Sequence, residues 1–238
     1  MIIKDKFFSS IFGYDVYKIE ISIDDNFSEF VLPSSKAFLY TKFSTDRTDL
    51  IRLFQNKGFS VIDISVVFEM SPLQFDYPMD ENIMVSEFCP EHSSSILKIA
   101  ESCFTLSRFH LDPEINNAIA NQIKQEWVRN YLTGKRGDRL MVVLQKDKNI
   151  PLGFLAEMQM HNSDKTISLI DLIGVDKSYQ GQGLGNELIS WMINNKLSKT
   201  INAIRVTTQV ANIQSIRFYE KCGFRIISSS YVMHAHNR

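Results

Sequence analysis

The sequence predicts an α/β (α+β) fold, and three observations predict it. Short apolar runs of strand length alternate with segments of helical periodicity along the chain. One of those strands feeds a glycine-rich turn, Gln180-Gly181-Gln182-Gly183-Leu184-Gly185, which opens directly into a helical pattern carrying Leu188, Ile189, Met192 and Ile193. The 238 residues are 44% apolar, enough to bury the core of one large or two small domains.

The elements follow in order. Val16 to Ile23 alternates as a strand does, and Lys36 to Ser44 is a second strand rich in Phe and Tyr. Thr45 or Asp46 is placed to cap a helix carrying Leu50, Ile51 and Phe54 and ending at Gly58. Phe59 to Phe68 is β-branched and aromatic, hence a strand. Prolines at both ends of the stretch Ser71 to Pro78 break structure, which sets a boundary between residues 1–80 and 81–238. Beyond it come a short strand (Ile83 to Phe88), a helix (Ser93 to Ser107) and a longer helix (Ile115 to Tyr131) closed by Gly134. A hairpin, Leu140 to Leu144 and Leu152 to Met160, turns at Gln145 to Asn149. Thr166 to Val175 is the strand feeding the glycine turn, whose helix runs to about Leu197. A strand (Ala203 to Val210), a short helix (Asn212 to Cys222) and a last strand (Phe224 to His234) complete the series.

Bulk properties exclude several classes. A formal net charge of −1 attracts neither nucleic acid nor an anionic membrane, and the interrupted basic stretch Lys135 to Arg139 reads as a solvated loop. The cysteines Cys89, Cys103 and Cys222 lack CxxC or metal-ligand spacing, which fits a reducing compartment. The N-terminal residues have no signal-peptide pattern, and no apolar run approaches membrane-spanning length. The expectation is a cytoplasmic protein with neither nucleic-acid nor membrane partners. His234 and His236 would share one face of a strand, but sequence places no third ligand beside them. They read as tail residues, and no metal is expected.

Strand, glycine turn and helix together form a device for holding an anion. The first amides of a helix have no internal partner, and glycine lets backbone approach the ligand closely. The turn is not the GxGxxG of dinucleotide folds, and the strand order differs from theirs. Two spaced motifs then resemble the GNAT N-acyltransferase superfamily. The first is Gln180-x-x-Gly183-x-Gly185 between strand and helix; the second is Asn212 followed by Phe218-Tyr219-Glu220-Lys221-Cys222-Gly223-Phe224. The resemblance covers roughly residues 83–234. It implies the GNAT fold, a mixed central sheet flanked by helices, with the first 80 residues as a smaller α/β extension, and acetyl-CoA as cosubstrate.

What the resemblance implies at each position is specific. Gln180, Gly181, Gln182, Gly183, Leu184 and Gly185 would bind the pyrophosphate. Ile173, Gly174 and Val175 lie on a strand that splays from its neighbour and would free a backbone N–H for the thioester carbonyl. Asn212 would bond the pantetheine arm. Tyr219 would aim its hydroxyl at the thioester sulfur and protonate the leaving thiolate. Asn212 and Tyr219 are seven residues apart, so they share a helix face. Read without the resemblance, Asn212 is equally a helix cap and Tyr219 equally a core phenol. In place of the proline common after the strand valine stand Asp176 and Lys177, expected to alter the turn and not the chemistry. The general base stays open among Asp171, Glu157 and His161. Asp171 is taken as the catalytic candidate if it shares the face of Ile173 and Val175. Cys222 reads as a small buried thiol, since direct amine attack needs no enzyme nucleophile.

A second set of stretches resembles the subgroup that acetylates dTDP-linked 4-amino-4,6-dideoxyhexoses. These are Leu106 to Pro113, Trp127, Tyr131 to Gly134, Phe7 to Gly13 and Gly58 to Asp63. The implied acceptor is the amine of a nucleotide sugar destined for surface polysaccharide, with residues 1–80 contributing to its site. Arg108 would pair with the diphosphate, and Phe109 and Trp127 would stack on base or sugar. On the residues alone, Arg108 could as well brace a loop and both aromatics could be core. Acceptors of another kind, a peptide α-amine or a small polyamine, stay open, as does a non-catalytic acyl-CoA-binding module. Oligomeric state stays open; a C-terminal strand could pair across the edge of a homodimer.

Overall fold

A computed structural model of the chain describes every residue except 22–30, 32, 73–76, 78–79, 163–164, 195–200 and 238. Its elements are β1 (Ile2–Lys4), α1 (Lys6–Phe12), β2 (Asp15–Ile19), β3 (Ala37–Ser44), α2 (Thr48–Gln55), β4 (Ser60–Met70), β5 (Ile83–Glu87), α3 (Ser93–Cys103), α4 (Arg108–Leu111), α5 (Asn117–Leu132), β6 (Arg139–Gln145), β7 (Ile150–Asn162), β8 (Lys165–Val175), α6 (Leu184–Asn194), β9 (Ala203–Gln209), α7 (Ile213–Lys221) and β10 (Arg225–Asn237).

The strands form one ten-stranded sheet in the order β1-β2-β3-β10-β4-β9-β8-β7-β6-β5. It is mixed: β2 with β3 and β8 with β9 are parallel, and the other pairs are antiparallel. The mixed sheet flanked by helices agrees with the fold the resemblance implies.

Burial explains the layering. Leu140 to Leu144 of β6 is buried at every position, as a strand covered on both faces must be. Met141 and Val143 face α6 in a core with Leu188, Ile189, Met192 and Phe224. Leu140, Val142 and Leu144 face α3 and α5 through Ile96, Ile99 and Val128. At the N-terminal end α2 covers one face through Leu50 and Phe54. There α1 and α5 cover the other through Phe8, Phe12 and Ile123.

Two irregularities open the sheet in its middle. Ala156 pairs with Leu172 and Glu157 with Ile170, so Asp171 is an extra residue bulged out of the β7–β8 ladder. On its other side β8 pairs with β9 only from Ile167 to Ile170, while β9 stays on β4 as far as Gln209. Past Ile170 the two strands part.

Several expectations shift. The short β1 and α1 were not expected; Asp5 caps α1 by accepting from the Phe8 amide, and Gly13 closes it. Neither Thr45 nor Asp46 caps α2, which begins after Arg47 with no side-chain cap, because the Thr45 hydroxyl pairs with Ser229 on β10. The helix expected from Ser93 to Ser107 ends at Cys103, and a separate single turn, α4, starts at Arg108. The last strand continues past His234 to Asn237, so His234 and His236 are sheet residues and not a tail. Between Ser230 and His234, β10 is paired to β3 on one side and β4 on the other, which closes the expected edge-to-edge route to a dimer. Positions 22–23 of the first expected strand, 195–197 of the helix end, and most of the proline-bounded break lie outside the described residues.

Candidate functional site

The parting of β8 and β9 creates a cleft of ≈ 1040 Å³, walled by Ile170 to Val175 on one side and Val206 to Gln209 on the other. Alternate amides of an antiparallel strand point to opposite edges. With β9 gone, at least one N–H among Ile173, Gly174 and Val175 faces the cleft, where a carbonyl could accept from it. Gly174 is needed for packing: a Cβ there would lie 2.6 Å from Cys103 Sγ at the end of α3.

The glycine turn sits at the mouth. Asp176 accepts from the Ser178 amide at 2.8 Å and sets a short 3-10 turn, whose first residue is Lys177. Gln180 donates to the Val175 carbonyl at 3.1 Å and braces the strand end. The Gly183 carbonyl accepts from the Asn186 and Glu187 amides, so the amides from Gly181 to Gly185 precede the helical ladder. Gly183 has φ +85°, and a Cβ on it would meet the Tyr77 hydroxyl at 2.7 Å. Gln180, Gly181, Gly183, Leu184 and Gly185 all line the cleft; Gln182 does not.

Across the cleft α7 presents Asn212 and Tyr219. Asn212 is the N-cap of α7, its Oδ1 accepting from Ser215 at 3.1 Å, which leaves its Nδ2 for a ligand. Tyr219 is wedged against Phe68, Phe218 and Phe224, and is 4% exposed. Its hydroxyl makes no hydrogen bond among the described residues. Burial pushes its pKa well above the usual phenol value, so the proton stays on at neutral pH. Both residues expected on one helix face are there.

The three candidate bases differ. Asp171 lines the cleft, but its Oδ2 accepts from Arg136 Nε at 2.7 Å, Tyr131 at 2.8 Å and Trp127 at 3.0 Å, and Arg136 also reaches Oδ1 at 3.1 Å. Both oxygens of this carboxylate are thus already engaged by neighbouring donors. Glu157 is fully buried away from the cleft, accepting from Ser168 at 2.6 Å with Arg139 at 3.5 Å. His161 is on the surface beside Thr166. Neither thiol near the site is a nucleophile: burial pushes both Cys103 and Cys222 up to about 12.

The acceptor wall is where sequence saw least. Arg108 lies over the Tyr40 ring at 4.1 Å and the Phe109 ring at 4.4 Å. Phe109 is 1% exposed and offers no face to a ligand. Trp127 is half-buried between Arg136 and Lys124. None of these three lines the cleft, whereas Lys124 and Ser107 do. Lys124 is one helical turn before Trp127, and that spacing was the available signal for it. Asp112 was unforeseen. Its Oδ2 accepts from His234 Nδ1 at 2.6 Å and His236 Nε2 at 2.8 Å, supplying the third side chain that sequence could not place. These three offer ligand-type atoms within 4.8 Å of one another, already hydrogen-bonded among themselves.

The Acetyltransferase (GNAT) family matches residues 95–224, a span holding the splayed strand, the glycine turn and α7. The chain belongs to the GNAT acetyltransferase family. It is 28% identical over 145 residues to the spore coat polysaccharide biosynthesis protein SpsD of Bacillus subtilis, covering 61% of this chain and 48% of that protein. The chain thus matches about half the length of that relative. It is 20% identical over 190 residues to the dTDP-fucosamine acetyltransferase of Escherichia coli O6:H1, covering 80% of this chain and 78% of that one. A GCN5-related N-acetyltransferase structure from Sphaerobacter thermophilus superposes with a TM-score of 0.56 at 12% identity, over 85% of this chain and 61% of that one, and shares the fold.

Proposed function

We propose that this GNAT protein is an acetyl-CoA-dependent N-acetyltransferase whose acceptor is the amine of a nucleotide-linked amino sugar, a dTDP-4-amino-4,6-dideoxyhexose. One observation carries the proposal: a single cleft holds the free amides of the glycine turn and Tyr219, and reaches Lys124 and Asp171. The amides of residues 181–185 fit a pyrophosphate, each hydrogen bond to a charged group contributing roughly 1.5–3 kcal/mol. The backbone N–H freed at residues 173–175 would hold the thioester oxygen as charge develops on it. Asn212 would hold the pantetheine arm through Nδ2. Tyr219, protonated and aimed inward, would give its proton to the departing thiolate.

The amine attacks directly, so neither a metal nor an enzyme nucleophile is called for. Asp171, pinned by Arg136, would orient the acceptor by accepting from its ammonium or hydroxyls, and the proton would leave through water. Residues 1–80 would form the far wall of the acceptor site, through α1 and Tyr40 against Arg108. The sugar acceptor, and a place in cytoplasmic polysaccharide assembly, rest on the names of the two relatives and on the basic character of this wall. An assay following free thiol from acetyl-CoA with dTDP-amino sugars, peptides and polyamines decides among acceptors. The expected result is turnover with the nucleotide sugar. Turnover with peptides alone would remove the sugar, and tight CoA binding with no turnover would leave a binding module.

A further inference from the structure

Two sets of basic residues stand in contrast. Arg47, Arg129, Arg136 and Arg205 each sit within 3.0 Å of a carboxylate. Three cations on the acceptor wall do not. Lys124, on α5, has its ammonium 4.9 Å over the Phe104 ring and 5.0 Å over the Trp127 ring, with no ion pair among the described residues. Arg108 stacks on the Tyr40 and Phe109 rings. Lys42 follows Tyr40 by two residues on β3 and so emerges on the same face, at the exposed end.

Arg108 is close enough to each lysine to disfavour its protonated form. Burial is the larger influence and brings Lys124 down to about 8, still mostly charged at neutral pH. Nearby carboxylates act on two of the cations through space, Asp171 favouring charged Lys124 and Asp5 charged Arg108, but their hydrogen bonds go to other residues. Asp171 is held by Arg136, Asp5 by Tyr40 and the α1 amide, and Asp112 by both histidines. Gathering like charges on a partly desolvated wall is unfavourable unless an anion joins them. A single carboxylate would meet only one point of a line running from β3 to α5. A diphosphate carries several negative charges on adjacent oxygens, and guanidinium geometry suits those oxygens.

We propose that Lys42, Arg108 and Lys124 form an acceptor-side track that holds the phosphates of a nucleoside diphosphate, with Lys124 nearest the reacting amine. The link to an amino sugar rests on the function proposed above; the track itself does not. None of its three residues belongs to the glycine turn, and of the three only Lys124 lines the cleft.

The test is calorimetric titration of dTDP into the full chain saturated with CoA, so that the glycine turn is already filled. Wild type binds dTDP, with inorganic pyrophosphate weaker because it lacks the nucleoside. Lys124→Gln and Lys42→Gln each weaken dTDP about 10-fold or more, the loss of one charged hydrogen bond. Lys124→Arg restores most of it, and CoA affinity is unchanged in all three, which also reports that they fold. No binding of dTDP to the CoA-loaded wild type, or equal binding by the Gln variants, overturns the track. If dTDP behaves as expected but no amino sugar is acetylated, the activity fails and the track stands. If a free amino sugar is acetylated as well as its dTDP-linked form and dTDP does not bind, the reverse holds.

Discussion

Tyr219 and Asp171 look similar on paper, two ionisable side chains on the wall of one cleft, yet their surroundings give them different work. Tyr219 is packed by aromatics and makes no hydrogen bond among the described residues, so its proton is both retained and available. Tyr219→Phe keeps the packing and removes the proton. Turnover should drop by about 10²–10³-fold with CoA affinity unchanged by calorimetry; undiminished turnover would take Tyr219 out of the mechanism. Asp171 is saturated by three donors. Asp171→Asn should cost about 2–4 kcal/mol in thermal or urea unfolding, because it strands Arg136. The acidic limb of the pH–rate profile should nonetheless survive, and its disappearance would restore Asp171 as the base. The cofactor-side residues were legible in the sequence because Gln180 to Gly185 and Asn212 to Phe224 are contiguous stretches whose spacing alone fixes geometry. Asp171 was legible as a cleft residue but not as a clamped one, since Trp127, Tyr131 and Arg136 reach it only after α5 folds over β8.

Among the elements, the glycine turn and the short α4 show two ways of holding a loop in place. The turn is held by backbone conformation. Gly183→Ala puts a side chain on a left-handed backbone, costing about 1–2 kcal/mol, and drives it into the Tyr77 hydroxyl. Its Kd for CoA should rise about tenfold or more, while Tyr219 chemistry at saturating CoA persists. The connection after α4 is held by ionisable side chains, Asp112 against His234 and His236 on β10. His234 is buried, its pKa lowered to about 4 mainly by burial and held neutral beside Arg108. Its unfolded form titrates near 6.5. As pH falls below that value the unfolded state gains a proton that the native state refuses, so stability drops between about 6.5 and 4. Asp112, whose own pKa is depressed by its histidine partners despite burial, adds a further loss below the ordinary carboxylate range. Melting temperature against pH should therefore fall through that window, and His234→Gln should flatten the fall. A profile identical to wild type would dissociate this contact from acid stability. Sequence could not show the clamp, because its partners lie on either side of most of the larger unit and meet only through tertiary structure.

For the whole molecule, strand identities were largely readable and strand order was not. The sequence marked β2 to β10 within a few residues and missed only β1 among the described strands. Nothing local says that β10 passes between β3 and β4, because that choice is made by pairing over long sequence separation. The N-terminal strands consequently share hydrogen bonds with the last one, from Ala37↔Asn237 through Ser44↔Ser230 and from Ser60↔His234 through Glu69↔Arg225. Heat or urea should unfold the chain in one transition followed alike by Trp127 and Trp191 fluorescence and by far-ultraviolet dichroism. A chain ending before Arg225 should lose that transition; two resolved transitions would mean the N-terminal strands are stable without β10.

The same interleaving has a consequence during synthesis. When the ribosome has delivered β3 and β4, each faces a vacant lane that only β10 can occupy, and β10 is the last strand of the series to emerge. Until then two adjacent edges rich in Phe, Val and Ile stand open to other nascent chains. The front of this protein must therefore wait for its rear, and holding chaperones, more than intrinsic speed, should govern how much of it is made intact.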